Sequence, residues 1–134
     1  MKSFHLKIAT PDALVFDGEA ESLLVKTTEG DLEILAKHAD FLAALATGKA
    51  RLLIGGETKL AAASGGFISV KQGEVSLVCT TFEFADEIDV RRARSAKEET
   101  EAKLSTVSDK NAEAILKAKL LRAMNRINVW ELNL

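Results

Sequence analysis

Ala62-Ala63-Ser64-Gly65-Gly66 comes close to a nucleophile elbow, in which a serine sits between glycines on a sharp strand-to-helix turn. Ala62 stands where the first glycine belongs, no helical pattern follows, and no histidine lies downstream of Ser64 to act as base. Thr47-Gly48-Lys49-Ala50 has the glycine–lysine end of a phosphate-binding loop, but Ala43 replaces the leading glycine and Ala50 the magnesium-binding hydroxyl. Asp12, Asp17, Glu19, Glu21, Glu29, Asp31 and Glu33 fall on turns and strand exteriors, where water solvates them, and no two are spaced as an acid/base pair. Cys79 lies in an apolar run without a neighbouring cation, which points to an inert buried thiol. With His5, His38 and this one cysteine there are too few ligands for a His/Cys zinc site and no partner for a disulfide. The reading is therefore no catalytic set and no metal site.

The elements that carry these residues divide the chain in two. All eight glycines lie between Gly18 and Gly73, the one proline is Pro11, and the last aromatic after Phe84 is Trp130. Residues 1–87 carry 8 Lys/Arg and 13 Asp/Glu, a net of −5, whereas residues 88–134 carry 10 and 7, a net of +3. A nearly neutral chain is thus an acidic module followed by a basic one. Its 47% apolar and 28% charged residues are globular composition, and no apolar run approaches the roughly 20 residues that cross a bilayer. Met1–Thr10 alternates like a strand and shows no signal-peptide pattern.

In the first module Phe4, Leu6 and Ile8 alternate with His5, Lys7 and Ala9, as a half-buried strand requires. Ala20–Thr28 and Leu32–Leu35 are separated by a Glu29-Gly30-Asp31 loop; Arg51–Ile54 and Lys59–Ala63 by Gly55-Gly56-Glu57; Phe67–Val70 and Val75–Cys79 by Lys71–Glu74. Seven or more such strands predict a sandwich or flattened barrel. In the second module Asp89 caps a helix over about Val90–Leu104, and Ser108 or Asp109 caps another over about Lys110–Ile127. The short break between them folds the pair into an antiparallel hairpin. Its first helix offers a thin stripe of Ala93, Ala96, Thr100 and Leu104, against Ala112, Ile115, Leu116, Leu120, Ala123, Met124 and Ile127 from the second. A buried Leu or Ile contributes roughly 1.5–3 kcal/mol and alanine far less. So thin a seam suits a hairpin that a partner or ligand opens, although a permanent two-helix cap fits the same pattern.

Glu29-Gly30-Asp31-Leu32-Glu33-Ile34-Leu35 with His38-Ala39, then Ala63-Ser64-Gly65-Gly66-Phe67, then Ile88-Asp89-Val90-Arg91-Arg92-Ala93 resemble, in order and spacing, three stretches of the epsilon subunit of F-type ATP synthases. The resemblance spans the whole chain. It implies an α+β fold: an N-terminal ten-stranded β-sandwich over 1–87, binding gamma and the c-ring, followed by an antiparallel two-helix regulatory hairpin over 88–134. It implies a non-catalytic rotor subunit of a proton- or sodium-translocating synthase. Such a subunit couples the catalytic head to the c-ring and inhibits ATP hydrolysis when its helices extend toward alpha and beta. The implied setting is peripheral, on the cytoplasmic face of a bacterial plasma membrane or else on a thylakoid, with no direct membrane insertion.

By position, the resemblance puts Asp31 and His38 in a loop region facing the c-ring. Here Ala36-Lys37 replaces the family's Pro-Gly, Glu33 a glycine and Asp40 a proline. Some bacterial members bind regulatory ATP, and their positions fall on Glu83, Ile88, Asp89, Arg92, Ala93, Arg122 and Arg126. Arg122 and Arg126 are helix neighbours whose guanidinium groups suit phosphate, whereas Glu99, where those members have arginine, opposes it. Lys117, Lys119, Arg122 and Arg126 are the cations of the net-positive second helix that are expected to meet acidic surface on the beta subunits when the helices extend. No cofactor is required. The competing readings are a free-standing nucleotide-sensing module, which would not co-purify with gamma, and a small hydrolase, which lacks a nucleophile–base set. Nucleic acid is not an expected partner, because the sandwich is acidic and the basic helix lacks interleaved aromatics.

Overall fold

The alternation that begins at Phe4 becomes strand β1 (Phe4–Ala9), with Phe4, Leu6 and Ile8 buried and Lys7 exposed. The computed structural model describes residues 2–134. Strands β2 (Leu14–Ala20), β3 (Ser22–Thr27), β4 (Gly30–Leu35), β5 (Phe41–Ala44), β6 (Gly48–Ile54), β7 (Glu57–Ser64), β8 (Phe67–Lys71), β9 (Glu74–Val78) and β10 (Thr81–Phe84) follow. They form two five-stranded sheets, β2-β1-β9-β8-β5 and β10-β7-β6-β3-β4. Every pairing is antiparallel except β1 with β9, which is parallel. The sheets bury one core that includes Leu6, Ile8, Leu23, Ile34, Leu52, Ile68 and Leu77. Each of these sealed side chains contributes roughly 1.5–3 kcal/mol.

Turn chemistry sets the registers. Gly55 and Gly56 both take positive φ (59° and 77°), so β6 and β7 are joined by two residues and Glu57 already pairs with Ile54. Gln72 and Gly73 (φ 51° and 81°) do the same between β8 and β9. Two positive φ values in succession match the twist of the flanking strands. One expectation is corrected. Asp31 lies inside β4 opposite Lys26, not in a loop, because Gly30 (φ 121°) pairs directly with Thr27 and leaves only Thr28 and Glu29 to turn the chain. The Thr27 hydroxyl fastens this turn, donating to the Gly30 carbonyl at 2.7 Å and accepting from the Glu29 amide at 3.2 Å.

The chain divides into two compact units between Phe84 and Ala85. The second begins with a 3-10 turn, Ala85–Glu87, followed by α1 (Val90–Leu104) and α2 (Lys110–Leu132). Asp89 caps α1 by accepting from the Arg92 amide, and Asp109 caps α2 by accepting from the Ala112 amide, both at 3.2 Å. Each side chain satisfies one of the amides a helix start leaves open. The helices are antiparallel, with Arg94 near the start of α1 lying over the Trp130 ring near the end of α2, 5.4 Å from its centroid.

Two helix expectations are corrected. First, α2 runs past Ile127 to Leu132, because no Gly or Pro interrupts it and Val129 is fully buried. Second, Ile115 and Met124 are exposed rather than seated in the seam. The fully buried positions are Ala93 and Thr100 on α1 and Ala123 and Val129 on α2, with Leu116, Leu120 and Ile127 half-buried.

Candidate functional site

The two catalytic look-alikes of the sequence meet each other in the sandwich. The Thr47 and Ser64 hydroxyls are hydrogen-bonded at 2.9 Å, and Ser64 is buried at the end of β7. A buried hydroxyl satisfied by another hydroxyl has neither a base nor access to substrate. The following glycines are there for packing. A Cβ on Gly66 would fall 1.8 Å from the Val78 carbonyl oxygen, and one on Gly65 would fall 2.6 Å from the Thr80 hydroxyl. Cys79 is 1% exposed, and burial pushes its thiol pKa up to about 12, so it carries no thiolate near neutrality. Among the described residues no group of three or more His, Cys, Asp or Glu is placed to hold a metal ion.

The candidate residues of the β4–β5 region separate. Asp31 is exposed on edge strand β4, whereas His38 lies between β4 and β5, half-buried. The His38 ring stands edge-on to Phe41 at 6.0 Å and its Nδ1 is 2.8 Å from the Ala39 carbonyl oxygen. Lys37 takes φ 64°, and Asp40 accepts from the Gln72 amide at 2.9 Å. The loop is thus held by its own chain where the family's proline and glycine are absent.

Of the candidate nucleotide residues, Glu83 is half-buried in β10 opposite Ala62, in the strand unit. The others belong to the helical unit. Ile88 is buried and donates its amide to the Ala85 carbonyl, Asp89 is engaged as the α1 cap, Arg92 is exposed in the first turn, and Ala93 is sealed in the seam. Arg122 and Arg126 are half-buried one turn apart on α2. Glu99 is exposed on α1. Of the other cations expected to meet beta subunits, Lys117 is paired with Glu113 at 2.8 Å and Lys119 is exposed. The Asp89 carboxylate is thus taken by a backbone amide, whereas Glu113 forms an i,i+4 ion pair with Lys117.

Sequence reasoning missed two contacts. Arg94 over Trp130 was hidden by ending α2 at Ile127, although a lone tryptophan in an otherwise non-aromatic module is a signal. The second is His5, whose Nε2 lies 2.5 Å from Asp17 and whose Nδ1 lies 2.5 Å from Glu74. The side-chain hydrogen bonds of Asp17 and then Glu74 raise the His5 pKa above 6.5, and the His5 hydrogen bond holds the Asp17 carboxyl below its ordinary value. Among the described residues no helix is long and apolar enough to cross a membrane.

Comparison with known proteins gives consistent matches along the chain. Residues 3–85 match the ATP synthase delta/epsilon chain beta-sandwich domain, and residues 86–131 match the delta/epsilon chain long alpha-helix domain. The ATP synthase epsilon chain of Halalkalibacterium halodurans is 38% identical over 130 residues, covering 96% of this chain and 98% of its own. That of Clostridium novyi is 41% identical over 132 residues, again covering 96% and 98%. Among solved structures, a chain of the Euglena gracilis mitochondrial ATP synthase (OSCP/F1/c-ring in rotational state 1) superposes with a TM-score of 0.78 at 24% identity, covering 92% of this chain and 78% of that one. A chain of the Tetrahymena thermophila mitochondrial ATP synthase central stalk/c-ring gives 0.63 at 16% identity, covering 98% and 96%. At these identities the structures speak for the fold.

Proposed function

The chain belongs to the epsilon-subunit family of F-type ATP synthases, and from that premise we propose that it is a non-catalytic rotor subunit whose sandwich couples gamma to the c-ring and whose helical hairpin regulates ATP hydrolysis. The observation that carries this reading is the sealed sandwich followed by a helical unit with a thin seam. No leucine of α1 or α2 is fully buried, and the sealed side chains are Ala93, Thr100, Ala123 and Val129. Ordering a residue costs on the order of 1.5 kcal/mol, so a seam of small side chains leaves the hairpin little surplus stability. It therefore exchanges readily between folded and extended forms. In the extended form Lys119, Arg122 and Arg126 meet the acidic surface of beta subunits, and Lys117 joins them by leaving Glu113.

ATP acts on this equilibrium from the helical unit. Arg92, Arg122 and Arg126 supply cations for phosphate, with Ala93 next to Arg92 in the first turn of α1 and Ile88 just before its cap. Asp89 serves through the helix start that it caps, and Glu99 weakens the affinity. A ligand at ten times its dissociation constant shifts such a balance by about 1.4 kcal/mol. The subunit acts as a peripheral component of the synthase, on the cytoplasmic face of a bacterial membrane, through Asp31 and His38 on the side toward the c-ring.

The test is reconstitution. The chain is expected to co-purify with gamma, alpha and beta subunits, and removal of residues 88–134 is expected to raise ATP hydrolysis by the reassembled complex. Failure to co-purify would favour a free-standing nucleotide sensor, and unchanged hydrolysis would refute the inhibitory role. Calorimetric titration with ATP tests the nucleotide separately. Absence of heat at millimolar ATP would end that part while leaving the rotor assignment intact.

A further inference from the structure

The outer face of the first sheet carries a polar row across its strands. His5 on β1 stands opposite Glu19 on β2 and opposite Glu74 on β9, with Asp17 diagonal to it on β2. Diagonal side chains on one face are within reach of each other. His5 uses that reach in both directions, Nε2 to Asp17 and Nδ1 to Glu74, each at 2.5 Å. A neutral imidazole has one N–H, and only the imidazolium donates from both nitrogens. Two simultaneous carboxylate partners therefore require the protonated ring. Removing the proton would set a nitrogen lone pair against a carboxylate oxygen, and one of the two bridges would open.

Topology gives these bridges a consequence. β2 is an edge strand, and β1 lies between β2 and β9. Among the described residues, the β1–β2 hairpin is hydrogen-bonded to the rest of its sheet through the parallel β1–β9 ladder, the less stable kind of pairing per residue. His5–Asp17 spans the hairpin and His5–Glu74 spans the ladder. We propose that His5 is a protonation-dependent clasp that fastens the N-terminal β1–β2 hairpin to the first sheet and loosens it when the ring loses its proton.

The surroundings favour the cation. From β2 the ring meets Asp17 and Glu19, the latter also accepting from the Ser3 hydroxyl at 3.1 Å. Lys7 shares the outward face of β1 and stands opposite Asp17. From β9 the ring meets Glu74, which Lys71 of β8 faces. Lys2 and Lys37 line the open groove beside the ring, and that groove lets water exchange the proton. The hydrogen bonds that the ring donates to Asp17 and Glu74 raise the His5 pKa. The clasp is thus complete below the ordinary imidazole value of 6.5 and is lost as pH rises through the higher folded value. The inference stands apart from the proposed rotor function, because it concerns only the sandwich.

The test is an NMR titration of the His5 ring in the full chain, with amide hydrogen exchange of β1 read against β6 across the same pH range. The expected midpoint lies above 6.5, and Asp17→Asn and Glu74→Gln each lower it. Exchange of β1, corrected for its intrinsic pH dependence, accelerates severalfold through the wild-type midpoint, and His5→Gln abolishes that step. Both carboxylate variants keep the side-chain shape at exposed positions, so folding is retained. A wild-type midpoint at or below 6.5, a midpoint unmoved in both variants, or β1 protection that is flat through the titration would overturn the proposal.

Discussion

Replacing Gly66 by alanine is expected to destabilise the sandwich by roughly 3–5 kcal/mol, near the exceptional end for a single substitution. The residue takes φ 90°, where an L side chain costs about 1–2 kcal/mol. The added Cβ would lie 1.8 Å from the Val78 carbonyl oxygen and 2.8 Å from its carbon, both backbone atoms that cannot swing aside. The two segments must then part by about 1 Å. That movement strains the hydrogen bond from the Leu45 amide to the Gly66 carbonyl and the one from the Thr80 amide to the Ser64 carbonyl, each 3.0 Å long. Each is worth about 1 kcal/mol net. Gly30→Ala is the control, since Gly30 has φ 121° but nothing within 4 Å of its Cβ position, so it incurs the backbone strain alone. Urea denaturation followed by far-UV circular dichroism on both variants measures the difference. If Gly66→Ala lost no more stability than Gly30→Ala, the close approach to Val78 would not be what requires glycine, and the packing account of the Ser64-Gly65-Gly66 segment would fail.

The remaining predictions concern single, separable contacts. Asp89→Ala removes the α1 cap and is expected to cost about 1 kcal/mol of helical-unit stability, read by helical circular dichroism on heating; a loss indistinguishable from zero would refute the capping assignment. Arg94→Ala is expected to change the emission of Trp130, the only tryptophan, and to remove about 0.5–1 kcal/mol, whereas Arg94→Lys retains part of both. Cys79 is expected to resist thiol reagents at neutral pH until denaturant is added, because its thiol titrates at about 12. On the acid side, Asp17 titrates below its ordinary 3.8 in the folded chain. Its contribution is therefore present above 3.8 and is lost as pH falls through the lower folded value, which thermal melts of wild type and Asp17→Asn should resolve.

Much of this molecule is legible in local sequence. Period-two alternation at Phe4, Leu6 and Ile8, paired positive-φ glycines at Gly55 and Gly56, and carboxylate caps at Asp89 and Asp109 each act over a few residues, so their outcome needs no distant partner. The poor fit of Ser64 to a nucleophile elbow is also legible in the sequence, since Ala62 replaces the first glycine and no histidine follows. The candidate residues were less evenly legible. Ile88, Asp89, Arg92 and Ala93 fall at the helix start that their motif predicts, but Asp31 moved from loop to strand because one glycine shortened a turn.

What tertiary structure decided was everything that depends on residues far apart in the chain. The parallel pairing of β1 with β9 brings His5 to Glu74 across 69 positions, and no periodicity encodes that choice. The close passage of Val78 over Gly66 turns a catalytic look-alike into a packing requirement. Val129 and Trp130 extend α2 past the point where its seam pattern stops. The physical reason is common to all three. A strand or cap is set by neighbours whose positions the backbone already limits, whereas a cross-strand ion pair, a clash or a helix end secured by tertiary burial exists only after hydrophobic collapse has chosen which segments lie side by side.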